Sequence, residues 1–318
     1  MADTDTAPSK TDTGWFTDDQ QLTDMMIDKR LVDISASSTI DDAQQIVADF
    51  AAKTEAGAWP SLDRAEVAAR LVEIFAVPGS DGTGGYRGIE QRQLNQCGPA
   101  ALLVMAIGRH PAAVARYATD LFDTGTGSIG NFSVTASDDL RTASYADMAT
   151  HGSIPSQAEW MMLSAVRNST EAWWQPEWVG DPSDELAGMT RPEELADWMR
   201  QTGIWSSVTD GGKWASNPGI PNATDLSVAE GTDTAMLIHA NLIKESTRVD
   251  TGTPPAEHSW SILDSFPNHW VVLLSEVTSQ VDNGDMLFTI WTWGERMQLR
   301  APQQIFLDNY FGTVSGSM

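Results

Sequence analysis

The 318-residue sequence contains one cysteine, and it lies where an irregular stretch becomes an apolar helix. The segment LNQCGPAALLVMAIGR, residues 94–109, places Cys97 directly before Gly98 and Pro99. Glycine lets the chain approach closely, and proline suits a first helical turn because the amides of that turn have no intrahelical acceptor. We therefore predict that Cys97 begins a helix that is apolar on nearly every side and buried.

Cysteine at this position could act as a nucleophile. The thiolate is the reactive form, and a helix N-terminus lowers a thiol pKa because its unpaired amides favour negative charge. The alternative is a structural role, since free cysteines are among the most buried residue types and are then inert. Attack on an acyl carbon would also need a base, a group that orients the base, and donors for the developing oxyanion.

Gln91 lies six residues before Cys97, and the segment QRQLNQCGPA resembles the cysteine segment of the papain-like cysteine peptidases. It is most similar to the bacterial branch that includes the bacteriocin-leader peptidases. Downstream, GMTRPEELADWMRQTG resembles a helix of that branch, TAMLIHANL the strand before the active histidine, and NHWVVLLSEV the histidine strand. The resemblance implies an α+β, papain-like fold, in which a helical half carrying the cysteine helix packs on an antiparallel β-sheet carrying the histidine.

The resemblance also implies roles for particular residues. Cys97 would be the nucleophile, and His269 would be the base, paired with it as thiolate and imidazolium. Gln91 would help the Cys97 main-chain amide to hold the oxyanion, with Gln93 and Gln96 as alternates. The other histidines lie in less suitable places, beside loop signals, inside an apolar strand or in a Pro-rich loop: His110, His151, His239 and His258.

The third catalytic group departs from the family pattern. The family has Asn or Asp at the end of the strand after the histidine strand, but here that strand ends IWTWGE, with no amide or acid at Trp291 or Thr292. Asp285 lies sixteen residues after His269, a count similar to the family's. However, it follows an Asn-Gly turn signal and so belongs at the far tip of the hairpin. We therefore expect Glu295 or a local carbonyl to orient His269, with a Cys97–His269 dyad that has no third group as the alternative.

We divide the chain into three parts. Residues 1–22 form a tail that composition predicts to be disordered, residues 23–77 form a helical extension, and residues 78–318 form the papain-like catalytic domain that the resemblance implies. Helices are predicted after Thr39, from a cap at Ser61, and from a capping box formed by Thr190 and Glu193. Strands follow the helices instead of alternating with them, which favours an α+β class.

Composition excludes several kinds of partner. Acidic residues outnumber basic ones 44 to 19, and the formal charge of -25 argues against nucleic acid. A single cysteine excludes an intrachain disulfide. The sequence shows neither a signal peptide nor a membrane span. We predict no cofactor and no metal, because no spacing of side chains is typical of either.

These features predict an acidic hydrolase, a thiol protease or amidase that cleaves a peptide or other amide bond through an acyl-enzyme on Cys97. Its substrate would be a protein or a peptide. Three alternatives stay open: an acyltransferase or transglutaminase, a deamidase, and a catalytically inert member that only binds a protein. We expect synthesis in the cytoplasm. Secretion without a signal peptide, as a bacterial effector or toxin with a secretion chaperone or an immunity protein as partner, fits the same features, as does a housekeeping peptidase.

Overall fold

The first part of the described chain is mainly helical. The structure, a computed structural model, describes residues 25–26, 38–76, 88–170, 177–184, 189–213, 226, 228–255, 267, 269–279 and 284–318, so the predicted tail, 1–22, lies outside it. In chain order the first elements are β1 (Met25–Met26), α1 (Ile40–Ala51), α2 (Arg64–Ile74), α3 (Cys97–Arg109), α4 (Pro111–Thr124), β2 (Thr126–Ile129), β3 (Phe132–Thr135), α5 (Asp138–Thr142), α6 (Tyr145–His151), α7 (Gln157–Thr170) and α8 (Pro192–Thr202).

An antiparallel sheet dominates the second part. Its elements are β4 (Ser207–Asp210), β5 (Thr232–Ile238), α9 (Asn241–Lys244), β6 (Thr247–Arg248), β7 (His269–Leu273), β8 (Thr278–Ser279), β9 (Met286–Thr292), β10 (Glu295–Ala301), α10 (Gln303–Asn309) and β11 (Tyr310–Ser317). Eight strands follow one another in the order β1-β4-β11-β5-β7-β9-β10-β6, and β8 pairs with β9 beside that path. The predicted α+β class, a helical part packed on an antiparallel sheet, is confirmed.

Several helix boundaries follow the sequence signals. The Thr39 hydroxyl accepts the Asp42 amide at 3.1 Å, and the Asp42 carboxylate accepts the Thr39 amide at 2.9 Å, which closes a capping box at the start of α1. Helix α4 begins at Pro111 and ends at Gly125, whose left-handed φ of 78° suits glycine. The β2-β3 hairpin between α4 and α5 was not predicted from the sequence.

Two predicted caps are wrong. Asp63 caps α2, accepting the Ala65 amide at 2.7 Å, whereas the Ser61 hydroxyl donates to the Ala143 carbonyl at 2.8 Å. At α8 the carboxylate of Glu194 accepts the Arg191 amide at 2.7 Å, so the box lies one residue later than predicted from Thr190 and Glu193. In both cases a neighbouring carboxylate is the better-placed acceptor of a main-chain amide.

Helix α3 lies at the centre of the fold. It is buried from Cys97 to Ile107, and its side chains share one hydrophobic cluster with residues of α1, α2, α4, α7 and α8 and with one face of the sheet. The other face of the sheet packs in a second cluster with side chains of α9 and α10. The helices of the predicted 23–77 extension therefore contribute to the same core as the cysteine helix. Within the described ranges, no helix has the length and apolar character needed to cross a membrane.

The start of α3 sits against the segment before α8. A Cβ atom added to Gly98 would overlap the side chain of Thr190. The carbonyl of Thr190 accepts the indole N–H of Trp270 on β7 at 2.9 Å. A side chain at position 98 would therefore push apart α3, the segment before α8 and β7.

We expect Gly98→Ala to lower the free energy of unfolding by about 1–3 kcal/mol, because it overpacks this junction. Gly211→Ala is the matched control, since a Cβ there would meet only the Thr313 carbonyl at an ordinary 3.5 Å. Urea midpoints measure both variants. Equal midpoints for Gly98→Ala and the parent would contradict the close packing of Thr190 on α3.

Candidate active site

Cys97 lies where the cysteine helix meets the histidine strand. It is the first residue of α3, and its thiol is hydrogen-bonded by the main chain of Trp270, of Gly98 and of Cys97 itself. Trp270 directly follows His269, the first residue of β7. The structure thus brings the predicted nucleophile to the residue next to the predicted base, although Cys97 and His269 lie far apart in the sequence.

The thiol is protonated in this arrangement. Cys97 is only 6% exposed, and burial raises the pKa of its thiol to about 11, while the three main-chain hydrogen bonds act in the opposite direction. Desolvation therefore outweighs the stabilisation that a helix N-terminus offers to a thiolate. The expectation that this position lowers the pKa is wrong.

His269 is held by two contacts. Its ring is buried, and Nε2 lies 2.6 Å from the hydroxyl oxygen of Thr292, the last residue of β9. The indole of Trp293 stacks on the imidazole with ring centroids 5.0 Å apart and an interplanar angle of 20°. The hydroxyl fixes the direction of Nε2, and the indole fixes the plane of the ring.

A tight turn places these two contacts. Thr292 pairs with Glu295 across the β9-β10 hairpin, and Trp293 and Gly294 between them have left-handed φ angles of 49° and 82°. Two residues with positive φ are typical of the type I′ hairpin turn. A left-handed conformation costs a residue other than glycine roughly 1–2 kcal/mol. Trp293 adopts it in the turn that carries its indole over His269.

Glu295 is not the residue that orients the imidazole ring of His269. Its carboxylate is half exposed and accepts Arg248 at 3.0 Å on the neighbouring strand β6. The group at Nε2 of His269 is the hydroxyl of Thr292. The expectation that Glu295 or a carbonyl orients this ring is therefore wrong. Thr292 was not among the predicted site residues, because an amide or an acid was expected at that position.

Asp285 precedes β9 and lies at the opposite end of that strand from Thr292, as hairpin geometry requires.

The three glutamines before Cys97 differ in their surroundings. Gln93 accepts the Ser153 amide at 2.6 Å. The side-chain oxygen of Gln91 is buried and has no hydrogen-bond partner among the described residues, and the same holds for both polar atoms of the Gln96 amide. An unsatisfied buried polar group costs about 1–3 kcal/mol. The unused hydrogen-bonding capacity is an acceptor on Gln91, and both a donor and an acceptor on Gln96.

The chain turns tightly between Gln91 and Cys97. The Gln91 carbonyl accepts the Leu94 amide at 3.0 Å, and the Leu94 carbonyl accepts the Gln96 amide at 2.8 Å. These turns fold the chain back just before α3 begins. Gln91, 6% exposed, is therefore buried close along the chain to the N-terminus of that helix.

The remaining described histidines have other surroundings. His151 lies 2.8 Å from the Asp181 carboxylate, and His239 accepts the Asn241 amide at 3.2 Å. Burial, followed by the charge of Arg109, lowers the pKa of His110. His258 lies outside the described residues. Among those that are described, no three His, Cys, Asp or Glu side chains come together as metal ligands would.

Comparison of the chain with protein-family models, with curated proteins and with solved structures found no match. The likeness to the papain-like peptidases therefore depends on the quoted segments alone and stays a prediction. The structure supplies a separate line of argument, since it is the folded chain that brings Cys97, His269 and Thr292 to one end of α3.

Replacing Thr292 by valine tests the orienting contact. Thr292→Val keeps the shape and removes the hydroxyl, so we expect altered ¹⁵N shifts for the His269 ring nitrogens and a roughly tenfold or greater loss in the rate of any acyl transfer at Cys97. Glu295→Gln is the control and should leave the ring signals in place. The opposite pattern, with Glu295→Gln moving the His269 signals, would restore the carboxylate as the orienting group.

The reactivity of the thiol should follow its raised pKa. We expect the rate of Cys97 alkylation by iodoacetamide to keep rising as the pH approaches about 11, where burial places the pKa, because only the thiolate reacts. A plateau already reached near neutral pH would show that a thiolate exists in the unliganded protein.

The same pKa shift predicts a stability change. The unfolded thiol loses its proton near its ordinary value of 9.0, whereas the folded thiol keeps it to about 11. The contribution of this thiol to the free energy of unfolding therefore has its full value below pH 9, and it decreases as the pH rises towards 11. Cys97→Ala should lack this part of the alkaline loss, which parallel urea titrations at several pH values measure.

Proposed function

We propose that this protein is a cysteine-dependent hydrolase that cleaves a peptide or other amide bond through an acyl-enzyme on Cys97. The observation that supports it is the junction of α3 and β7, where the Cys97 thiol meets the main chain of Trp270 beside a histidine whose Nε2 is held by Thr292. Nucleophile, base and orienting group are the set that acyl transfer requires.

In the proposed reaction the base acts during the attack. The sulfur of Cys97 forms a bond to the substrate carbonyl carbon while its proton passes to Nδ1 of His269. The Cys97 main-chain N–H and the Gln91 side-chain N–H donate hydrogen bonds to the developing oxyanion. The carbon–nitrogen bond then breaks, and the amine leaves with the proton from His269. His269 then takes a proton from water while the water oxygen bonds to the thioester carbon. The carbon–sulfur bond breaks, the acid leaves, and the proton passes from His269 to the sulfur of Cys97.

Because the thiol is protonated at rest, this sequence needs no preformed ion pair. Transfer to an amine, or deamidation of a glutamine, would use the same residues and differ in the substrate and in what attacks the thioester. The cellular setting, including a role as an effector or toxin with a chaperone or an immunity protein, stays a prediction from the sequence.

A non-catalytic, protein-binding role is the second candidate. It is favoured by the small exposure of the thiol and by the neutral hydroxyl that stands where the family has an amide or an acid. A buried thiol with a raised pKa is inert unless something removes its proton. The hydrolase requires that Cys97 can be acylated, whereas the binding role predicts that it is not.

Acylation by p-nitrophenyl acetate decides between them. We expect release of p-nitrophenolate together with one acetyl group on Cys97, located by peptide mass spectrometry. Cys97→Ala should abolish it while changing the unfolding free energy by about 1 kcal/mol or less. His269→Ala should slow it by roughly a hundredfold, since it removes the base.

His110→Ala is the control, because His110 is a partly buried histidine at the C-terminal end of α3, the opposite end of that helix from Cys97. It should leave the acylation rate near that of the parent. A folded parent protein that is not acylated at Cys97 would contradict the hydrolase and support the binding role.

A further inference from the structure

A buried ion pair ties helix α2 to the chain that leads to Gln91. The guanidinium of Arg70 on α2 contacts the Glu159 carboxylate on α7 through Nη2 at 2.6 Å and through Nε at 3.1 Å. It also donates to the carbonyl of Gly88 and pairs with Glu73 at 2.6 Å. Glu159 is 1% exposed, so this contact is made away from solvent.

The carboxylate of Glu159 holds the same stretch of chain. It accepts the main-chain amide of Glu90 at 3.0 Å and the hydroxyl of Ser156 at 2.5 Å. Residues 88–91 form a short connection, here termed the strap, that ends at Gln91. Its first carbonyl is bound by Arg70, and the amide of its third residue is bound by Glu159.

The other side of the strap faces the turn that carries the contacts to His269. A Cβ atom on Gly294 would lie 2.5 Å from Cγ of Glu90, so the Glu90 side chain packs directly on that glycine. Gly294 follows Trp293, whose indole stacks on His269. The strap therefore lies between the Arg70–Glu159 pair and the β9-β10 turn.

We propose that Arg70 and Glu159 are positioning residues that place the Gln91 amide at the oxyanion, an inference that rests on the proposed function. Gln91 directly follows the amide that Glu159 accepts. Hydrogen bonds with a charged partner are the stronger ones, and a buried setting strengthens them further. Well-packed apolar residues would stabilise a core at least as well as an ion pair, so the pair is better explained by the geometry it imposes on the strap.

The same helix offers a matched control. Arg64, also on α2, contacts the Asp123 carboxylate at 2.7 Å and the Glu55 carbonyl at 2.8 Å. Its side chain is largely buried, as that of Arg70 is. Arg64 thus makes a comparable ion pair and carbonyl contact, but its partners lie outside the strap.

Two reagents separate positioning from mere stability. p-Nitrophenyl acetate acylates a thiol through an oxyanion, whereas iodoacetamide alkylates it by displacement and forms none. The ratio of the two rate constants at Cys97, measured well below the melting temperature of each variant, therefore reports the oxyanion site. Variants for this measurement are Gln91→Ala, Arg70→Ala, Arg70→Lys, Glu159→Gln and Arg64→Ala.

We expect Gln91→Ala to lower acylation by roughly a hundredfold with alkylation changed less than about twofold. Arg70→Ala and Glu159→Gln should lower the ratio of acylation to alkylation by roughly tenfold. Arg70→Lys should lower it less, because lysine keeps the charge but cannot contact Glu159 through two nitrogen atoms as arginine does. Arg64→Ala should keep the parental ratio. If Arg70→Ala does not fold, the ratios of Arg70→Lys and Glu159→Gln decide the outcome.

The failures are distinguishable. If Gln91→Ala lowers the ratio but the folded Arg70 and Glu159 variants do not, or if Arg64→Ala lowers it equally, the positioning role is overturned and the hydrolase stands. If Gln91→Ala leaves the ratio unchanged, Gln91 is not the donor and the inference is overturned. If Cys97 of the parent is not acylated at all, the proposed function is overturned together with it.

Discussion

The arrangement of the candidate site depends on the burial of the first turn of α3. This helix is buried from Cys97 to Ile107, so its position is set by packing on several sides at once. At its start Gly98 lies against Thr190, and the Thr190 carbonyl accepts the indole of Trp270. One junction therefore fixes the helix carrying the thiol relative to the strand carrying the histidine. Dense packing leaves little room for either element to shift alone.

The same burial decides the protonation of the thiol. A helix N-terminus stabilises a negative charge by about 0.3–1 kcal/mol at an exposed site, and up to about 2 kcal/mol where it is partly buried. Full desolvation shifts a pKa by as much as roughly 3–5 units, each unit being worth about 1.4 kcal/mol. Desolvation is the larger effect, and the pKa of Cys97 is raised although three main-chain groups hydrogen-bond the sulfur. The sequence predicted that the helix is buried, but the extent to which burial reaches its first residue depends on the folded chain.

Local patterns in the sequence predicted the elements better than their assembly. The apolar run after Cys97 and the cap at Thr39 predicted helices that the structure contains. Strand β11 was not predicted, since its Gly- and Ser-rich segment, YFGTVSGS, lacks the usual strand composition. It nevertheless lies inside the sheet, between β4 and β5, and Gly316 there allows the indole of Trp205 to pack against the main chain. Such a fit depends on a partner that is distant in the sequence.

Thr292 and the burial of Cys97 act in the same direction. A carboxylate at Nε2 would stabilise an imidazolium and so favour transfer of the thiol proton before any substrate binds. The hydroxyl of Thr292 is neutral, and in the proposed reaction it orients the ring without stabilising that charge to the same extent. The Trp293 indole covers one face of the ring and fixes its plane. A protonated thiol is therefore the resting form that burial favours at this site. In the proposed reaction, charge separation begins only when the sulfur bonds to an acyl carbon and the displaced electron pair moves to the carbonyl oxygen, which the oxyanion donors stabilise.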